Sequence, residues 1–121
     1  MPVMVLAGLS ATPLVSGEWA GHYEQAGALA PQRMTLEFAD GVVRGDGVDE
    51  VGTFALEGGY GTVAGELRVG WIKTYDRGHS VLYRGNVTAT GALVGSWRIE
   101  ETWQGGFALE PVHHSNKKGL L

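Results

Sequence analysis

Glycine constrains this chain more than any other residue, at 20 of 121 positions. The glycines follow no triplet period, so neither a collagen helix nor a low-complexity tract accounts for them. They separate short segments in which apolar and polar residues alternate. A two-residue period belongs to strands with one buried and one wet face. Turn residues every ~8–12 positions mark an all-β protein. Helical spacing is confined to Glu24–Arg33, where Gly27 and Pro31 reduce it to a turn or one short helix.

Alternation predicts strands over Glu18–Gln25, Met34–Ala39, Val42–Val48, Thr53–Glu57, Val63–Tyr75, His79–Thr88, Ala92–Ile99 and Phe107–Leu109. Turns are expected at Asp40-Gly41, Gly58-Gly59, Asp76-Arg77-Gly78 and Gly105-Gly106, with a bend at Gly65 or Gly70. Met34, Leu36, Phe38, Phe54, Leu56, Leu67, Val69, Val81, Leu93 and Trp97 fall on the inner faces. A meander of about eight or nine strands must close or split into two sheets, because open edges are costly, and roughly eight strands close around a filled or ligand-sized interior. Inward Gly45, Gly47, Gly85 and Gly95 relieve crowding in such a closure. The expected fold class is therefore all-β, a single closed antiparallel up-and-down β-barrel forming one domain over residues 1–121. Residues 1–16 read as a leading strand and loop, and residues 112–121 as a polar tail.

Gly17-Glu18-Trp19, followed by Gly45-Asp46-Gly47 and Gly95-Ser96-Trp97, resembles the calycin group of barrels, which includes the lipocalins, the fatty-acid-binding proteins and the avidins. In that group a Gly-x-Trp on the first barrel strand seats its Trp at the closed end. The resemblance implies an eight-stranded barrel of this type with Trp19 as its plug. The polar contacts that follow the first Trp in avidins are not matched, since Gly21 and Tyr23 share the Trp19 face.

Several function classes drop out on composition. Net charge is −4 with no basic stripe, which argues against nucleic acid. No apolar run approaches the ~18 residues of a membrane helix. The chain has no Cys, hence no disulfides, which suits a reducing, cytoplasmic setting. The apolar start, Met1 to Gly17, is the one feature on the side of export, and it lacks a basic leader and is broken by Pro2 and Pro13. No cofactor signature is present: no Gly-x-Gly-x-x-Gly opens a helix and no Gly-x-Ser-x-Gly occurs. No metal is expected either, because the adjacent His113 and His114 point apart on a strand and no other His pair has ligand spacing.

The chemistry concentrates between Trp71 and Tyr83. Trp71, Lys73 and Tyr75 share one face of a strand; His79, Val81 and Tyr83 share one face of the next. The turn between them sets Tyr75 opposite His79 and Lys73 opposite Val81. Asp49 continues the inner face of Val43, Gly45 and Gly47, and Trp97 has inward parity. Asp49, Trp71, Lys73, Tyr75, His79, Tyr83 and Trp97 are thus the candidate ligand-binding residues, and Lys73 and His79 the candidate catalytic ones. A Lys desolvated among aromatic rings loses proton affinity and serves as a base or Schiff-base nucleophile; a neighbouring Asp keeps it charged and turns the pair into an anion site or a brace.

Three functions follow. The first is binding of a small hydrophobic or aromatic ligand, with Lys73 suited to an anionic group. The second is acid–base catalysis of the isomerase or cyclase kind through Lys73 or His79. The third is a structural or oligomer-forming barrel with a filled core. A void of several hundred Å3 beside Lys73 favours the first two, and packed side chains favour the third. On the outer faces Arg44, Arg68, Arg84 and Arg98 share parity with Glu37, Glu57, Glu66 and Glu100, which predicts a solvated surface of cross-strand pairs.

Overall fold

A computed structural model describes residues 14–112. Among the described residues eight strands run in chain order around a closed antiparallel barrel, and there is no helix. They are β1 (Gly17–Gln25), β2 (Ala28–Ala39), β3 (Val42–Asp49), β4 (Thr53–Val63), β5 (Glu66–Tyr75), β6 (Ser80–Val87), β7 (Leu93–Ile99) and β8 (Trp103–Pro111). Pairing of β1 with β8, from Trp19↔Pro111 to Tyr23↔Phe107, closes the ring and leaves no free edge. The expected leading strand within residues 1–13 and the His113-His114 pair lie outside the described residues.

The inner faces follow the expected parity. Eight of the ten predicted core residues are buried, and Phe38 and Leu67 are half-buried against them. Three hairpins use a two-residue turn with positive φ at both positions: Asp40-Gly41 (54° and 81°), Ala26-Gly27 (52° and 83°) and Ala64-Gly65 (52° and 84°). This turn twists with the strands it joins, and it favours Asn, Asp or Gly at its first position. The Asp-Gly turn is the one the sequence announces; alanine leaves the other two legible only as a turn or short helix and as a bend.

Several expectations are corrected. Of the turn and the short helix expected within Glu24–Arg33 the turn holds: Glu24 and Gln25 end β1, Ala26-Gly27 reverses the chain, and Ala28 opens the twelve-residue β2. Pro31 is tolerated there because pairing of β2 with β3 begins only at Gln32↔Asp49. Gly58-Gly59 lies within β4 and Gly105-Gly106 within β8, so neither is a turn. A Cβ on Gly58 would stand 1.9 Å from the Gly70 carbonyl oxygen, and one on Gly105 would stand 2.1 Å from that of Glu24. These glycines permit close strand approach rather than reversal. Val63 is the last residue of β4, and the bend expected at Gly65 is the Ala64-Gly65 turn, so β5 begins at Glu66.

The two barrel ends differ. At one end residues 14–16 cross the opening, where Trp19 is fully buried, donates from Nε1 to the Val15 carbonyl at 2.8 Å and meets Phe38 edge-on at 6.0 Å. The other end, ringed by the Ala26-Gly27, 50–52, 76–79 and 100–102 connections, holds the polar side chains.

Candidate functional site

The polar cluster is assembled from four strands. Gln32 on β2 faces Asp49 on β3 in register, and β5 and β6 supply Lys73, Tyr75 and Tyr83. Lys73 is only 1% exposed. Its Nζ donates to Asp49 Oδ2 at 2.6 Å, Gln32 Oε1 at 3.0 Å and Tyr83 Oη at 3.2 Å. An ammonium has three N–H groups, and all three are used. The Phe54 ring centroid lies 4.3 Å from the same nitrogen, and the rings of Tyr23, Tyr75 and Tyr83 lie at 5.0–5.1 Å. Aromatic faces at these distances favour a cation over a neutral amine.

Asp49 is equally well satisfied. Its Oδ2 accepts from Lys73 and from Tyr75 Oη, the latter at 2.5 Å. Its Oδ1 accepts from the Val51 and Gly52 backbone N–H groups at 2.8 and 3.4 Å. Four donors around one carboxylate replace its water shell. The Gln32 amide is oriented by the same logic, because the ammonium requires an acceptor and so faces Oε1. That orientation leaves Gln32 Nε2 with no partner, and Trp71 Nε1 is likewise unpaired.

Burial lowers the proton affinity of Lys73, and the hydrogen bond and charge of Asp49 oppose that shift without cancelling it. Burial raises the phenols: Tyr23 is pushed up to about 12, with Asp49 and Glu50 adding to the effect. Tyr75 and Tyr83 are raised as well, each chiefly by burial, with the Asp49 hydrogen bond contributing at Tyr75.

Asp49, Lys73, Tyr75 and Tyr83 therefore converge as predicted, and Trp71 stacks on Tyr83 at 5.6 Å. Trp97 is buried and donates from Nε1 to the Glu24 carbonyl at 2.9 Å. His79 does not join them: it precedes β6, is exposed, and lays its ring 4.6 Å from that of Tyr75. Its backbone pairing with Tyr75 is the expected one, with the Tyr75 N–H donating to the His79 carbonyl at 3.0 Å. Gln32, Tyr23 and Phe54 belong to the cluster and were not singled out. Gln32 has the parity of Met34 and Leu36, but Pro31 hid the strand extension that carries it.

These side chains pack against Lys73 Nζ. A cleft of about 60 Å3 opens above them at the barrel mouth, lined in part by Tyr23, Tyr75, His79, Tyr83 and Trp97. That is far below the ~300–1,000 Å3 of ordinary ligand pockets. Among the described residues no group of three His, Cys, Asp or Glu side chains could hold a metal ion, and no helix is long and apolar enough to cross a membrane. No family model matches the chain, and no curated protein and no solved structure is significantly similar to it.

Proposed function

We propose that this protein is a non-catalytic scaffold barrel, of calycin-like architecture, whose interior is closed by a charged brace and whose recognition surfaces lie outside. The observation that carries this reading is the saturation of Lys73. All three of its N–H groups are bonded within the protein, so no donor is left for a ligand anion. Held as an ammonium by those three bonds, the nitrogen has no lone pair with which to serve as the base or nucleophile of isomerase or cyclase chemistry. Among the described residues the His79 ring is in contact with the Tyr75 ring alone among aromatic side chains, and no side-chain hydrogen bond holds it.

A second reading keeps the small ligand but moves it to the mouth, where tyrosines, His79 and Trp97 line a cleft. Its size limits the occupant to one planar ring or the tip of a larger molecule.

NMR titration with benzoate and indole separates the two. The scaffold reading predicts that the Lys73, Tyr75 and Asp49 side-chain signals stay unshifted. Saturable shifts confined to His79 and Trp97 would establish the mouth reading, and saturable shifts at Lys73 would overturn the closed interior altogether.

A further inference from the structure

The outer face of β5–β8 departs from the expected pattern of paired charges. Arg44 does pair across strands with Glu57, at 3.4 Å, and Arg68 reaches Glu66 on its own strand at 3.3 Å. Arg84 and Arg98 have no carboxylate within ion-pairing distance among the described residues. Sheet register sets the three arginines on successive diagonals. Gly70 faces Arg84, so Arg68 lies two residues along from Arg84's partner; Ser96 also faces Arg84, and Arg98 lies two residues along from it. Diagonal neighbours on adjacent strands stand about 7–8 Å apart, within reach of long side chains.

The same face is concave. A groove of about 460 Å3 runs past Arg68, Arg84, Asn86, Val94 and Ser96. A second hollow of about 150 Å3 continues from Arg84 and Ser96 to Leu82, Arg98 and Gln104. Gly70, which faces Arg84 in register, lines the larger groove, and Gly106 faces Ser96 from the next strand. Unlike the inward glycines these two are not demanded by packing: a Cβ on either would meet nothing nearer than 3.6 Å. The walls are mixed, with Val94 exposed in the larger groove, Leu82 half-buried in the second hollow and Ile72 exposed next to Leu82 in register.

The geometry points to this groove as a docking site for a short, extended acidic segment of a partner protein that carries an apolar residue between its carboxylates. Arginine forks match carboxylates bidentately, and among the described residues Arg84 and Arg98 are the groove arginines that form no ion pair. The apolar walls suit a peptide side chain. A long polyanion fits less well: the net charge is −4, Glu57 faces Ile72 at the groove's border, and Glu66 sits beside Arg68. The groove also lacks an aromatic stacking surface, since the exposed Trp103 pairs with Ile99 at the barrel mouth. The inference rests on the scaffold reading, because a filled barrel recognises partners by its exterior.

The test is a 15N NMR titration of the full chain with a glutamate-rich peptide bearing one central leucine, at low and high salt. Shifts are expected at Gly70, Arg84, Ser96 and Gly106, weakening with salt. The Arg84→Gln/Arg98→Gln variant should bind about tenfold or more weakly. Gly70→Val, which fills the groove floor, should weaken binding comparably while keeping the wild-type melting temperature or raising it. Unchanged affinity in either variant, no shifts, tighter binding of a single-stranded oligonucleotide, or peptide-independent self-association through this face would overturn the proposal. Loss of peptide binding leaves the scaffold reading intact; shifts at Lys73 with benzoate count against that reading and not against the groove.

Discussion

Lys73 Nζ lies 2.6 Å from Asp49 Oδ2, with the Lys side chain 1% and the Asp side chain 0% exposed. Removing two charges from water costs several kcal/mol each, so such a pair survives only with good geometry and further hydrogen bonds. Gln32, Tyr83, Tyr75 and the 51–52 backbone supply those bonds. The brace ties together β2, β3, β5 and β6 near one barrel end. Trp19 closes the other.

The buried phenols predict alkaline unfolding. Tyr23, Tyr75 and Tyr83 keep their protons in the folded state above the ordinary value of 10.0, with Tyr23 at about 12. Above pH 10 the unfolded chain therefore binds fewer protons than the folded one, and stability falls as pH rises through the folded values. Lys73 acts oppositely, since its lowered value makes stability rise with pH up to its unfolded value of 10.5. Beyond that point the phenols set the slope. Urea midpoints should drop steeply from pH 10 to about 12, with tyrosinate absorbance of the three residues appearing together with unfolding. Their ionisation in a chain that stays folded would contradict this.

Trp19→Ala should destabilise the barrel by about 3–5 kcal/mol, the usual cost of truncating a buried large aromatic. The residue has no exposed surface and its Nε1 anchors residues 14–16 through Val15. Equilibrium denaturation measures the loss; a change below ~1 kcal/mol would show that the closed end does not depend on it.

Gly95 on β7 and Gly70 on β5 should respond to an added methyl group in opposite directions. A Cβ on Gly95 would stand 2.0 Å from the Arg84 carbonyl oxygen, so Gly95→Ala must part β6 from β7. A loss of about 1–3 kcal/mol is expected. Gly70→Ala meets only the Tyr83 carbonyl oxygen at 3.6 Å and should gain about 0.5–1 kcal/mol by restricting the unfolded chain. Melting curves of the two variants decide it, and equal effects would mean that inward glycines do not set the closeness of the strands.

Parity made much of this protein legible. Once a strand was recognised, its inner face followed, and so did the meeting of Lys73, Tyr75, Tyr83 and Asp49. Glycine misled where it served close approach instead of turning, at Gly58 and Gly105. Alanine at positive φ left the Ala26-Gly27 reversal legible only as a turn or short helix and the Ala64-Gly65 reversal only as a bend. Gln32 was missed because a proline in a strand is readable only when the neighbouring strand is known to stop short of it. The unpaired state of Arg84 and Arg98 was equally out of reach, since parity gives the face of a side chain but not its cross-strand partner.

A double-mutant cycle on Lys73→Met and Asp49→Asn tests the buried brace most directly. Lys73→Met alone strands a buried carboxylate and should cost about 3–5 kcal/mol. Asp49→Asn in the Lys73→Met background should cost much less than in the wild type, giving a coupling of about 2–3 kcal/mol. A coupling below ~0.5 kcal/mol, with Lys73→Met as stable as the wild type, would contradict the brace and the closed interior built on it.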